Sequence, residues 1–350
     1  MQKSQCRVQN EMRRSLLFSF CILHFAFSVV LSGCGRDDAS RQTVTLYTSV
    51  DQPVAAPIIR DFEQKTGIKV QLVTDAEATK SVGLAERVRA ERNNPQCDVF
   101  WSNEPFYTIA LANESLLEPY ESPAAADVPA RFKDTMGRWC GVGLRARVIG
   151  VHGGDGGSTG PVKNLEDLSK AGLKDRIAMA KPTAGTTGGH VAALYVLWGD
   201  ERAKAFFTKL RGNGVKLLGG NAKVAEAVGQ GTFVAGLTDN DDVASAKSEG
   251  GKIEAVLPDQ GEGGIGTLMI PTTVGLIARQ HPSPAAAQKL IDHLLSRETE
   301  QNLIAAGFAG WSVRGLGSAK INAMDVDYAK VADVMPRAVR EATVILEGRE

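Results

Sequence analysis

Residues 44–73 read VTLYTSVDQPVAAPIIRDFEQKTGIKVQLV, and this stretch decides the fold class. Residues 44–47 are β-branched, aromatic or aliphatic, which favours a strand. The apolar residues of 54–65 recur at helical spacing, and Gly67 provides a stop signal. Residues 68–73 predict a second strand. A strand, a helix and a strand in this order are typical of a parallel α/β unit.

The same alternation continues along the chain. Helix patterns cover residues 81–92 and 107–113, and a strand of the buried type covers 97–101. Glycine-rich segments near 147–160 and 260–268 then separate a second series of strands and helices from the first. We therefore predict an α/β protein with two lobes, each built on a mostly parallel sheet, joined by a two-strand hinge with a cleft beside it.

The N-terminus predicts export. Basic residues precede an apolar run that ends in Leu31-Ser32-Gly33-Cys34, an arrangement that looks like a bacterial lipoprotein signal. In such signals the cysteine, here Cys34, carries the lipid; the alternatives are an uncleaved anchor or a membrane-buried cysteine. The predicted parts are a signal peptide (1–33), a tether (34–42), the first part of the first lobe (43–146), the second lobe (147–262), and a return to the first lobe with C-terminal helices (263–350).

The amino-acid composition limits the classes of partner that the protein can bind. The chain has 40 basic and 40 acidic residues, so it lacks the excess positive charge that nucleic-acid binding needs. If residues 1–33 are removed and Cys34 is lipidated, the remaining cysteines are Cys97 and Cys140. An oxidising compartment permits a bridge between them, but two cysteines are too few for a disulfide scaffold. Both lie in apolar, strand-like segments where a lone cysteine usually packs as a small hydrophobe.

Residues 181–190, KPTAGTTGGH, lie between a predicted strand and a predicted helix. Hydroxyls and small residues at a helix start offer N–H and O–H donors, together with the positive end of the helix dipole, to an anion. One threonine could instead cap the helix, but a cap needs only one hydroxyl. The candidate ligand contacts here are Thr183, Gly185, Thr186 and Thr187.

Polar residues also follow three predicted strands of the first lobe. In open α/β sheets the ligand crevice lies beyond the carboxyl ends of the strands, so these residues are expected to meet there. Each of them alone could be a helix cap. The candidates are Ser49, Asp51, Glu77, Asn103 and Glu104.

The second lobe and the crossing segment contribute charge. Asp239, Asp241 and Asp242 follow a predicted strand, and Arg145 and Arg147 lie in the crossing. Neighbouring carboxylates repel one another, so a cleft that holds them requires a cation, an arginine or protonation. The alternative for Asp239 or Asp241 is that it caps the following helix.

Enzyme signatures are weak. Residues 156–160 match G-x-S-x-G, but they lie in a glycine-rich run and Pro161 stands where a helix should begin. The histidines show no metal-ligand spacing, and neither H-E-x-x-H, C-x-x-C nor a phosphate loop occurs. The residues therefore predict no catalytic site; an enzyme on the same two-lobed fold is the alternative.

Several stretches together resemble an ABC-importer substrate-binding protein of the type 2 periplasmic class. The similarity extends over most of residues 43–310 and is sharpest for the ferric-iron-type branch of the extracellular solute-binding family 1 proteins. The stretches that carry it are YTSVD (47–51), FEQKTGIKV (62–70), DVFWSNE (98–104), LLEPY (116–120) and IPTTV (270–274). The resemblance implies a monomeric, exported receptor that delivers a solute to a membrane permease.

The resemblance also implies a ligand site. Ferric members place a histidine, a glutamate and two adjacent tyrosines around the iron, with a bound anion; here Asp51, Asn103 or Glu104, and the pair Asp241 and Asp242 take those positions. The expected metal ligands are thus Asp51, Glu104, Asp241 and Asp242, for Fe(III) or another hard cation with a synergistic anion. Related binders of phosphonates, sugar phosphates and thiamine make an organophosphorus solute the alternative, with Arg145 and Arg147 as a phosphate clamp.

Overall fold

The structure is a computed structural model that describes residues 42–74, 80–153, 162–183, 185–316 and 320–349. The strands are β1 (Thr43–Thr48), β2 (Lys69–Thr74), β3 (Val99–Ser102), β4 (Leu117–Glu118), β5 (Trp139–His152), β6 (Ile177–Ala180), β7 (Lys216–Leu218), β8 (Ala235–Asp239), β9 (Ile253–Val256) and β10 (Met269–Ile277). The α-helices are α1 (Gln52–Thr66), α2 (Lys80–Ala90), α3 (Phe106–Asn113), α4 (Gly185–Trp198), α5 (Asp200–Gly212), α6 (Asn221–Gly229), α7 (Asn240–Ser248), α8 (Pro284–Leu294), α9 (Arg297–Ala305) and α10 (Tyr328–Glu347).

The first lobe is built on the sheet β2-β1-β3-β10-β5, with β4 paired to β10. β1 is parallel to both β2 and β3, so the opening β-α-β unit is parallel as predicted. Its helix α1 buries Ile58, Ile59 and Phe62 and ends at Gly67, whose φ of 72° is the left-handed conformation that favours glycine. The carboxyl ends of these parallel strands therefore meet at one edge of the sheet.

β5 passes from one lobe to the other. Residues 139–146 pair with β10 in the first-lobe sheet, and residues 147–152 pair with β8 and β9 in the second-lobe sheet. Where the strand changes sheets, the Arg147 N–H donates to the Leu268 carbonyl oxygen at 3.0 Å, just before β10 begins. The two strand segments that connect the lobes thus run side by side.

The second lobe is built on the sheet β5-β8-β6-β7, with β9 added to β5. β6 is parallel to β7 and to β8, whereas β5 is antiparallel to β8. In the first lobe β10 is antiparallel to β3, β4 and β5, so the sheet of each lobe combines parallel with antiparallel pairs. The segments that follow β7 and β8 carry the second-lobe residues Ala222, Asp241 and Asp242, which face the cleft.

The C-terminal helix α10 packs on α4 and α5 of the second lobe and on α3 of the first. At its start the Tyr328 hydroxyl donates to the Met269 carbonyl oxygen at 2.8 Å. Both Cys97 and Cys140 are buried free thiols. No helix in the described ranges combines the length and the apolar character needed to span a bilayer.

Candidate functional site

A cavity of about 630 Å³ lies where loops of the two lobes face each other. We call it the cleft cavity. From the first lobe it is lined by the loop between β1 and α1 and by the end of β2, and from the second lobe by α7 and the start of α6; the turn after α9 closes one side. The lining residues are Thr48–Val54, Thr74, Ala222, Asp241, Asp242, Ala244, Ser245, Ser248 and Ala306–Phe308.

On the first-lobe side, three uncharged side chains form a hydrogen-bonded group that we call the neutral cluster: Ser49, Ser81 and Asn103. The Ser49 Oγ donates to Asn103 Oδ1 at 3.1 Å and accepts from the Asn103 N–H at 2.9 Å. The Ser81 Oγ donates to the same Oδ1 at 2.7 Å. The ends of β1 and β3 and the start of α2 therefore converge, which is where the strand-end argument places Ser49 and Asn103.

The two acidic candidates of the first lobe have different surroundings. Glu104 is buried, and its Oε2 accepts the Phe106 N–H at 2.6 Å at the start of α3. Burial raises the pKa of Glu104 to about 7. Asp51 lines the cleft cavity at the start of α1, and its side chain makes no capping hydrogen bond to that helix. Of the two, Asp51 is the carboxylate that reaches the cavity, while Glu104 caps a helix beside it.

On the second-lobe side, Asp239 is the centre of what we call the charged cluster, comprising Arg145, Arg147, Thr186, Asn221 and Asp239. The Arg147 Nη1 donates to Asp239 Oδ1 at 2.7 Å. The Asp239 Oδ2 accepts from the Arg145 Nη2 at 2.9 Å, from the Thr186 hydroxyl at 2.6 Å and from the Asn221 side-chain amide at 3.1 Å. Burial opposes the charge of Asp239, but the two guanidinium groups outweigh that effect and lower its pKa.

Asp241 and Asp242 extend this charge into the cleft cavity. The Arg145 Nη2 donates to both carboxylate oxygens of Asp241, at 2.8 and 2.7 Å. Asp239, Asp241 and Asp242 each offer a carboxylate oxygen, and these atoms lie within 4.8 Å of one another. Burial, reinforced by the charges of Asp239 and Asp51, raises the pKa of Asp241 in spite of Arg145. The site therefore carries more carboxylates than its two arginines neutralise.

In the glycine- and threonine-rich stretch, residues 186–189 mostly make contacts inside the protein. Thr183 is exposed, and α4 begins at Gly185 with a φ of 59°. Thr186 is bonded to Asp239, and the Thr187 hydroxyl donates to Asn221 Oδ1 at 2.9 Å. A Cβ at Gly189 would lie 1.9 Å from the Phe106 ring, so this glycine permits close packing of α4 on α3.

Comparison with known proteins identifies the family. A family model described as bacterial extracellular solute-binding protein matches residues 43–309. The chain belongs to this family of bacterial extracellular solute-binding proteins. The fold agrees: this solute-binding protein superposes on iron-bound HitA from Pseudomonas aeruginosa with a TM-score of 0.75 and 23% identity, covering 86% of this chain and 99% of that one.

Two curated relatives carry different ligand descriptions. One is an Fe(3+)-binding periplasmic protein of Serratia marcescens, 24% identical over 61% of this chain and 61% of its own length. Another is a putative 2-aminoethylphosphonate-binding periplasmic protein of Salmonella paratyphi A, 24% identical over 68% of each chain. The chain thus spans less than two thirds of the length of the Serratia relative.

The predicted site residues fall into four groups, one of which, Thr183 and Gly185, neither lines the cleft cavity nor is fully buried. Those lining the cleft cavity are Ser49, Asp51, Asp241 and Asp242. Those buried around it are Asn103, Glu104, Arg145, Arg147, Thr186, Thr187 and Asp239. Glu77 and the lipidation candidate Cys34 lie outside the described residues.

Sequence reasoning missed three members of this region. Asn221 begins α6, shortly after β7 ends, so the strand-end argument applied to the first lobe could also have found it. Ser81 sits at the start of α2, where a hydroxyl is ordinarily interpreted as part of a helix start. Phe308 comes from the turn after α9, and no local pattern connects that turn with the cleft.

Proposed function

We propose that this solute-binding protein holds a hard cation, with Fe(III) as the leading candidate, in the cleft cavity. It would act as the extracytoplasmic receptor of an ABC importer and deliver the cation to a membrane permease. The observation that carries the proposal is the negative charge of the cavity lining. Asp51, Asp241 and Asp242 line the cavity, and no basic residue is found among the described lining residues. Such a receptor needs closure on its ligand and no bond chemistry.

Ligand chemistry favours a hard ion. The cavity presents carboxylate, hydroxyl and amide oxygens, including those of Ser49 and Gln52, and oxygen donors suit hard cations. The Fe(3+)-binding relative of Serratia marcescens supports the same ligand class. The metal ligands we propose are Asp51, Asp241, Asp242 and, after local rearrangement, Glu104. Thr183, Gly185, Thr186 and Thr187 would hold a synergistic anion once Thr186 and Thr187 exchange their hydrogen bonds to Asp239 and Asn221.

The double change Asp241→Asn with Asp242→Asn tests the cation. It keeps side-chain size and removes two negative charges, so cation affinity should fall about tenfold to a thousandfold, since one charged contact contributes about 2–5 kcal/mol. Titration calorimetry against Fe(III), Ca(II) and Mn(II) measures it. Ser245→Ala is the matched control, because Ser245 lines the same cavity without charge. Unaltered metal binding by the double variant would place the site elsewhere.

A second candidate, an organophosphorus solute, is favoured by the Salmonella relative. In this candidate Arg145 and Arg147 clamp the phosphorus oxyanion and the α4 start adds donors. Both guanidinium groups already donate to Asp239, so the solute would have to exchange with carboxylates. The same double variant separates the candidates. Binding of a phosphoester without an amine should stay unchanged or strengthen when Asp241 and Asp242 lose their charge.

We further propose that the protein is exported and anchored to a bacterial membrane by lipid on Cys34. The support is the leader-like sequence that ends at Ser32-Gly33-Cys34. Cys34→Ala should abolish incorporation of labelled palmitate, because the precursor would then lack the thiol that receives the lipid. Equal labelling of the wild type and the variant would refute the anchor.

A further inference from the structure

Arg145 occupies a central place in the candidate cation site. Its Nη2 donates to both oxygens of Asp241 at 2.8 and 2.7 Å and to Asp239 Oδ2 at 2.9 Å. Its Nη1 donates to the Asn103 carbonyl oxygen at 3.2 Å, and its Cζ lies 5.0 Å from the centre of the Phe308 ring. One positive group therefore already holds two of the three carboxylates that could share a metal ion.

We infer that Arg145 is a resident cation that competes with the ligand cation for Asp241 and so determines the affinity and charge selectivity of the cleft. The inference rests on the proposed function, because it concerns the same site. A metal ion bound to Asp241 must take that carboxylate from Arg145 or share it. In both cases the guanidinium lowers cation affinity, since like charges at this separation repel strongly outside bulk water.

The surrounding contacts allow this exchange. When Asp241 turns to the ligand, Arg145 keeps Asp239 Oδ2, the Asn103 carbonyl oxygen and the Phe308 ring. The guanidinium is therefore not left buried without partners, which would otherwise be costly. The exchange needs only a local movement of Asp241, whose side chain is 10% exposed on the side of the cleft cavity.

Arg147 provides a contrast within the same strand. Its Nη1 donates to Asp239 Oδ1 at 2.7 Å and lies 3.4 Å from the Thr186 hydroxyl, and the side chain is fully buried. Neither arginine lines the cleft cavity, but the ion pair of Arg147 is with Asp239, whereas Arg145 also pairs with the cavity-lining Asp241. Arg147 therefore acts as a structural counter-ion, whereas Arg145 stands between that structural pair and the ligand carboxylates.

Competition between Arg145 and a bound cation should depend on the charge of that cation. Repulsion between the guanidinium and a bound ion grows in proportion to the charge of the ion. Neutralising Arg145 should therefore raise affinity for a trivalent ion more than for a divalent ion. A purely structural role predicts the opposite sign, because loss of a positioning contact weakens binding of every ion.

The experiment compares wild type, Arg145→Gln, Arg145→Lys and Arg147→Gln, with Tb(III) followed by luminescence and Ca(II) by calorimetry. We expect Arg145→Gln to bind Tb(III) at least about tenfold more tightly than wild type, with a smaller gain for Ca(II). Arg145→Lys keeps the charge and should stay within about threefold of wild type. Arg147→Gln should show a clearly smaller gain than Arg145→Gln.

Folding is checked by cooperative thermal unfolding. Asp239 keeps Arg147, Thr186 and Asn221 when Arg145 is changed, so Arg145→Gln should fold. If wild type binds Tb(III) and folded Arg145→Gln binds it no more tightly, the inference is overturned and the proposed function stands. If neither wild type nor any variant binds either ion, the proposed function fails and the inference with it. Binding by Arg145→Gln alone would support the inference.

Discussion

The polar side chains on the two sides of the cleft are held by different interactions: neutral hydrogen bonds in the first lobe and ion pairs in the second. Both place polar side chains at the ends of strands, and both bury them. The neutral cluster of the first lobe is joined by hydroxyl and amide hydrogen bonds, as between Ser81 and Asn103 at 2.7 Å. The charged cluster of the second lobe is joined by ion pairs around Asp239, which is 1% exposed. Under the proposed function the second lobe supplies the charge that recognises a cation, and the first lobe supplies shape and, among the described lining residues, one carboxylate, Asp51.

The two clusters also differ in how much a single substitution should lower the free energy of unfolding. Neutral hydrogen bonds each contribute a modest net amount to stability, about 1 kcal/mol, because water satisfies the same groups in the unfolded chain. Charges that have been buried behave differently: removal of one partner leaves the other without compensation. The charged cluster should therefore be the more fragile of the two clusters toward single substitutions.

The largest expected effect is that of Asp239→Asn. The change keeps size and removes the carboxylate that pairs with Arg147 at 2.7 Å and with Arg145 at 2.9 Å. Two buried guanidinium groups then share less negative charge, so the free energy of unfolding should fall by about 3–5 kcal/mol. Urea unfolding followed by circular dichroism measures this loss.

The matched control for that change is Asp241→Asn, two residues further along the chain. It also removes one carboxylate from Arg145, but Arg145 keeps Asp239 and the Asn103 carbonyl oxygen. The pKa of Asp241 is raised by burial, so its charge adds little net stability to the folded protein and the loss should stay below about 1 kcal/mol. Equal losses for both variants would show that the cluster has no structural centre at Asp239.

Much of this arrangement could be predicted from the sequence, because the rules involved are local. The alternation of strand and helix patterns over residues 44–73 gave a parallel unit, and β1 and β2 are parallel in register from Thr43 and Lys69 onward. Strand-end reasoning selected Ser49 and Asn103, and these two side chains are hydrogen-bonded. Both inferences need only residue types and the order of elements.

What escaped prediction depends on contacts between distant segments. Gly189 lies inside α4 and allows the Phe106 ring of α3 to approach, a packing role that no local pattern indicates. The C-terminal helix α10 packs on helices of both lobes, and no residue pattern in that helix specifies its neighbours. Likewise, the pairing of Arg145 with Asp241 joins residues 96 positions apart. Local patterns indicate which side chains are polar, while tertiary packing decides which of them meet.

The smallest expected effect is that of Ser81→Ala in the neutral cluster. The substitution removes the 2.7 Å hydrogen bond to Asn103 Oδ1, but this oxygen still accepts from the Ser49 Oγ at 3.1 Å. No buried acceptor is left unsatisfied, so the free energy of unfolding should fall by only about 1 kcal/mol. The same urea titration measures it, and cation affinity should stay within about twofold, since the substitution changes no charge. A loss as large as that of Asp239→Asn would remove the distinction between the two clusters, because the neutral side would then be as tightly coupled as the charged one.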